Sequence, residues 1–140
     1  MKLKDTIPIC LLLIGTLGLT QPSIAEEKIE ITPIIQSSKG LSGKNFNYLK
    51  GKPELRLLKV KIPVGLKTPI HTHPSPMLIH VTRGRLKHVR GEEINFFKAG
   101  DAFIESNNGG AHYVKNVGKK PVILHVGVVS VVGKPTAINK

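Results

Sequence analysis

The sequence reads as one all-β domain of the sandwich or barrel type. Apolar and β-branched residues fall in short alternating runs, turn residues break those runs every eight to twelve positions or so, and no stretch of ten or more holds a 3.6-residue apolar period. A length of 140 residues suits one domain rather than two.

The first segment stands apart from that pattern. Lys2 and Lys4 make a basic start, Ile7 to Leu19 is mostly apolar, and Gln21-Pro22-Ser23-Ile24-Ala25 offers small residues around a cut after Ala25. This is the layout of a secretory signal peptide, so residues 1–25 are expected to be removed and the protein to be periplasmic or secreted. The apolar run is shorter than the ~20 residues of a membrane span, and no later run replaces it, so no stable membrane insertion is expected. Cys10, the only cysteine, would leave with the leader. The remaining domain must then rely on its core, with a metal as an added support, and not on disulfides.

Charge narrows the partners. The precursor carries +12, and the leader's Lys2, Lys4 and Asp5 account for +1, leaving +11 on residues 26–140. A basic surface favours anionic partners, whether small molecules, acidic glycans or lipid head groups. The lysines are scattered, pair at most as Lys119-Lys120, and accompany only four Phe and two Tyr. Without a basic block or aromatic interleaving, nucleic-acid binding is not expected.

The elements follow in order. Residues 26–50 form an entry segment, with one edge strand over Lys28 to Ile35 and a polar loop from Ser37 to Asn47. Glu54 to Ile62 alternates and is closed by Pro63 and Gly65. Met77 to Thr82 stops at Arg83-Gly84. Arg85 to Val89 and Ile94 to Phe97 flank a hairpin tip at Gly91-Glu92. Ala99-Gly100-Asp101 turns the chain into Ala102 to Glu105, and Asn107-Asn108-Gly109-Gly110 turns it again before Ala111 to Asn116. Pro121 to Val132 is the longest apolar run, a buried strand. Residues 51–132 thus hold the barrel, and 133–140 are expected to be a frayed tail.

Six histidines lie beyond the leader. His71 and His73 are separated by one residue, so on a strand their imidazoles point to the same face. His112 begins another strand two hairpins later, and an antiparallel barrel can return it beside them. Three imidazoles with open positions suit a divalent transition metal: Fe, Mn, Zn, Ni or Cu. His80 has the opposite parity to Met77 and is not expected to be a ligand. His88, beside Lys87 and Arg90 near a hairpin tip, is expected to be solvated. His125, in an all-apolar run, is read as a core histidine. Asn116 is read as a turn or supporting residue, and Gly84, Gly100 and Gly109 as barrel corners.

Gly65, His71-Thr72-His73 and Gly84, then Gly100, Gly109, His112 and Asn116, resemble in order and spacing the two signatures of the cupins. The resemblance spans about Glu54 to Val129. It implies a double-stranded β-helix or jelly-roll barrel, often a homodimer, with a metal on His71, His73 and His112. The pattern's glutamate after the His-x-His is replaced by Met77, and Ser106 stands where a proline is usual. The stretch His71 to Pro76 together with Phe103-Ile104-Glu105 is similar to a cupin subgroup in which a later glutamate substitutes, which makes Glu105 a fourth ligand or general base. Three compositions stay open: three histidines with water, with Glu105, or with Met77, although Met77 as core filler is favoured.

The resemblance implies a metal-dependent enzyme of dioxygenase, isomerase or lyase type on a small organic substrate, with anionic molecules among the candidates. The alternatives are a non-catalytic ligand- or metal-binding barrel, and an envelope protein that docks on acidic polymers.

Overall fold

The computed structural model describes residues 27–140, so the expected leader lies outside the described residues. From Thr32 onward the chain forms one unit. Nine strands are present among the described residues, and no helix: β1 (Pro53–Ile62), β2 (His71–Thr72), β3 (Met77–Arg83), β4 (Arg85–Arg90), β5 (Glu93–Lys98), β6 (Ala102–Glu105), β7 (Tyr113–Asn116), β8 (Val122–Val131) and β9 (Ile138–Asn139). All pairings are antiparallel.

One face of the barrel is the sheet β1-β8-β3-β6. The other is β5-β4-β7, prolonged toward β2-β9 by bridges from Lys67 to Lys115 and from His71 to His112. This is the two-layered arrangement expected of a jelly roll. Alternation explains it. On β8, Val122, Leu124, Val126 and Val128 point inward and join Ile79 and Val81 of β3, Leu86 of β4 and Phe103 of β6 in a single apolar core.

The turns follow local chemistry. Gly91-Glu92 is a two-residue hairpin loop with Gly91 at φ +56°, a backbone region glycine enters freely. Gly84 lies at φ +89° and a Cβ there would sit 2.9 Å from the Val122 backbone, so this corner accepts no larger residue. Asn116, fully buried, closes the barrel's far end. Its Nδ2 donates to the Ile62 and Lys120 carbonyls at 2.9 Å each, and its Oδ1 accepts from the Gly118 amide at 2.9 Å.

Three expectations are corrected. Residues 28–35 form no strand; most are exposed, and the described entry segment pairs only through a bridge from Lys39 to Asn45. The 45–47 stretch is instead pinned by side chains of the Ser106–Asn108 turn: Ser106 Oγ and Asn108 Nδ2 donate to the Asn45 carbonyl, and Asn107 takes both backbone groups of Asn47. The 133–140 segment is no frayed tail. Ile138–Asn139 pairs with β2, and the Lys140 amide donates to the Ile70 carbonyl at 2.9 Å. His125 is exposed on the outer face of β8, opposite Lys59 and His80, because inward and outward positions both carry apolar residues along that run and hide its parity.

Replacing Asn116 by Ala leaves the buried Ile62 carbonyl and the part-buried Lys120 carbonyl and Gly118 amide without their partner. We expect a loss of about 1–3 kcal/mol, the cost of one unsatisfied buried group. It should read as a lower urea midpoint with an unchanged m-value.

Candidate metal centre

The His-x-His pair is carried on a rigid corner. Ser75 is fully buried and its Oγ lies 2.8 Å from that of Ser130, while the Pro76 carbonyl accepts from the Val129 amide. His71 and His112 face each other across the barrel wall through a reciprocal pair of backbone hydrogen bonds, 2.9 and 3.0 Å. The chain is thereby forced to present three imidazoles together. The ring centroids of His71, His73 and His112 lie 4.8, 4.5 and 5.1 Å apart, and all three residues are buried.

Their outer nitrogens are all engaged by backbone carbonyls. Nδ1 of His71 meets the Pro69 carbonyl at 2.8 Å, that of His73 the Thr136 carbonyl at 2.8 Å, and that of His112 the Gly110 carbonyl at 3.3 Å. A carbonyl only accepts, so each Nδ1 carries the hydrogen and each Nε2 is left with its lone pair. Burial disfavours the charged form of two of the rings. It lowers His73, helped by the His71 charge, despite the opposing Thr136 contact; it lowers His112 to about 4, against the pull of Glu105 and with the push of His88. One ligand atom from each of the three lies within 4.8 Å of the others, so the trio can hold a metal ion. Neutral imidazoles with oriented lone pairs are what such an ion requires, and the donor set fits.

Glu105 enters the same chamber from β6, directly opposite Met77 on β3. It is 2% exposed. Its Oε2 accepts from Arg90 Nη2 at 2.6 Å. Its Oε1 lies 2.7 Å from His88 Nε2, but off the line of the ring N–H, and 3.8 Å from His112 Nε2. Burial pushes the carboxyl up; the His88 contact, the His112 charge, then His88 and Arg90 outweigh it and hold the group below the usual carboxylate range. Oε1 is therefore a buried anionic oxygen without an aligned donor, facing the imidazoles. Glu105, His88 and His112 form a second three-residue set able to hold an ion, sharing His112 with the first. Met77 is packed in the apolar core while also lining the chamber, in keeping with its reading as core filler.

The sequence reading missed two contributors and misplaced a third. His88 is not solvated but fully buried; its ring stacks on His112 at 4.7 Å and 23° and meets Phe103 edge-on. It shares inward parity with Leu86 and Arg90 on β4, and that alternation was the available signal. Arg90 was read only as a neighbour at a hairpin tip. The 133–140 strap, which supplies the carbonyl that holds His73, carried no signal of its own. Arg56 of β1 fixes that strap by donating from Nη1 to Thr136 Oγ1 and from Nη2 to the Lys134 carbonyl, both at 2.9 Å. His80 lies on the outer face as expected, and Asn116 is structural.

Two outcomes follow. An Arg56→Ala variant frees the strap and with it the His73 ring; loss of such an outer partner costs about 10–100-fold in metal affinity, measurable by zinc titration against a competing chelator. In the metal-free protein, the unfolded chain takes up a proton at His112 near 6.5 that the folded chain refuses until about 4. Its stability contribution is therefore complete above 6.5 and falls as pH drops toward 4, and the lowered Glu105 adds a loss of the same sign at the acid end. Melting temperatures between pH 7.5 and 4.5 should fall accordingly, and less steeply in His112→Gln.

The family follows from comparison with known proteins. No curated protein matches the sequence. Among solved structures, the cupin domain of Schizosaccharomyces pombe Cnp3 superposes with a TM-score of 0.50 at 24% identity, over 61% of this chain and 60% of that one. The polyketide cyclase RemF from Streptomyces resistomycificus gives 0.53 at 18%, over 64% and 61%. The DMSP lyase DddQ from Ruegeria pomeroyi gives 0.50 at 17%, over 61% and 43%. The chain thus spans less than two thirds of each, and at these identities the likeness is one of fold. Residues 58–131, more than half of the sequence, match the cupin domain family (Cupin_2), and with the barrel and its paired signatures in place the chain belongs to the cupins.

Proposed function

We propose that this chain is an exported, metal-dependent cupin enzyme of dioxygenase, isomerase or lyase type, acting on a small organic molecule. One observation carries the reading: three buried imidazoles, each with Nδ1 tied to a backbone carbonyl, offer ligand atoms that lie within 4.8 Å of one another. His71, His73 and His112 would hold a divalent transition metal. When bound, that ion supplies Lewis-acid polarisation of a substrate oxygen, or a place for dioxygen, at its open positions.

The remaining roles belong to the protein. Arg90 fixes Oε2 of Glu105, so Oε1 is the atom free to act as a fourth ligand or to take a proton from a bound substrate. His88 backs His112 by stacking and crowds Glu105 from behind. The apolar lining excludes water from this polar end. The neighbouring lyase and cyclase structures lend the enzyme reading support by fold alone.

A second reading, a non-catalytic barrel that stores or senses a ligand, is favoured by the same contacts: a carboxylate pinned by Arg90 and crowded by His88 is a poor mobile base. Export and homodimerisation belong to the proposal as well. The apolar run Ile7 to Leu19 supports export. No helix among the described residues is long and apolar enough to cross a membrane.

Elemental analysis of protein purified without chelator or tag should find about one equivalent of a transition metal, and none in a His71→Ala/His73→Ala double variant. A wild type that stays empty and refuses added Fe, Mn, Zn, Ni and Cu contradicts the proposal. A loaded protein whose Glu105→Gln variant keeps full metal content and gains thermal stability points to the binding barrel.

A further inference from the structure

The chamber beside the three histidines has a volume of about 180 Å³. Strand registers order its walls in layers. Met77 and Glu105 are paired beside the histidines; one layer deeper are Leu58, Ile79, Phe103 and Val126, and deeper still Val60, Val81 and Leu124. Polarity is thus confined to one layer, and every wall beyond it is aliphatic or aromatic apart from Thr68. Among the described residues no Lys or Arg lines the chamber, although the sequence is rich in both. Arg90 approaches from behind but is committed to Glu105. The basic surface therefore says nothing about what enters.

Resting on the metal reading above, we infer that the chamber takes a molecule with a single oxygen or sulfur donor on an otherwise apolar body, no larger than one substituted ring, and rejects molecules bearing a second charge. The donor sits among the histidines at the metal, and the body fills the deeper layers. Size sets the upper bound, because an apolar cavity of about 150 Å³ holds benzene. Charge sets the selectivity. A second carboxylate would be placed against Val126 or Leu124 with no cation to meet it and only the Thr68 hydroxyl as a neutral donor in the lining, and burying a charge so poorly paired is prohibitive. The chamber's mouth is bounded by Thr136 and Ala137 of the C-terminal strap, so entry passes beneath that segment.

The test uses the whole protein, metal-free and loaded with Co(II). Toluene, which has no donor, probes the apolar body by ligand-detected NMR. Benzoate, terephthalate and succinate probe the donor through the visible bands of cobalt. We expect toluene to bind both forms, benzoate to shift the bands, and terephthalate and succinate to bind at least about tenfold more weakly, as an unpaired charge demands. Ala137→Trp fills the chamber from an exposed position and should abolish toluene binding in the metal-free protein, with an unchanged circular dichroism spectrum as the control for folding. Succinate or terephthalate matching benzoate, or toluene ignoring the loaded protein, overturns the inference. Toluene binding unchanged in Ala137→Trp also overturns it, because the probe then sits elsewhere. A protein that takes up no cobalt yet binds toluene in an Ala137-dependent way overturns the metal reading and keeps the apolar chamber.

Discussion

An imidazole buried in an apolar wall needs a partner for its N–H, and the whole site depends on where those partners come from. Here each is a backbone carbonyl: Pro69 for His71, Gly110 for His112 and Thr136 for His73. Backbone acceptors cannot rotate away or titrate, so they fix both tautomer and ring direction. Two of them lie two residues before their own histidine, making the geometry a local property of the corner that carries it. The third arrives 63 residues later, which makes the C-terminal strap part of the site rather than an appendage. The fold serves this requirement. Without the β2–β9 pairing and the Arg56 contacts, Thr136 would have no reason to stay over His73.

The second constraint is a buried charge. Glu105 is held as a carboxylate inside the barrel by Arg90, with the edge of His88 beside it, and removal of Arg90 would leave an anion without its cation in an apolar wall. This clamp has a chemical consequence. It orients one oxygen away from the imidazoles and one toward them, giving a three-histidine site a carboxylate neighbour that the His-x-His segment itself does not provide. The missing glutamate near Met77 is thus answered from the adjacent strand, through a direct cross-strand pair. Met77 fills the space that the glutamate would have used.

Much of this was legible in the sequence where alternation was clean. The runs 54–62, 77–82, 85–89 and 102–105 each differ from the observed strands by two residues or fewer at either end, and the spacing of His71, His73 and His112 located the cluster. Legibility failed where the local pattern carries no phase. Along Val122–Val131 both faces hold apolar residues, so His125 was placed inside when it lies outside. His88 was judged by its charged neighbours Lys87 and Arg90, yet parity with Leu86 puts it inward, and its proper partner, Glu105, is on a strand of the opposite sheet. The strap could not be read at all, because its role is a backbone carbonyl, to which side-chain identity gives no access. The entry segment failed for the opposite reason. Ile29 and Ile31 alternate as a strand would, but among the described residues they form no strand, and both are exposed.

The protein presents three imidazoles with Nδ1 hydrogen-bonded to backbone carbonyls, leaving Nε2 as the nitrogen for a metal. Long-range ¹⁵N–¹H correlation spectra of the histidine rings test it most directly, in metal-free protein near pH 7 and again after adding zinc. The account requires the Nδ1–H pattern for His71, His73 and His112 before metal, with all three Nε2 resonances shifting together at one equivalent. An Nε2–H or doubly protonated pattern at any of the three, or zinc moving fewer than three of them, would contradict it.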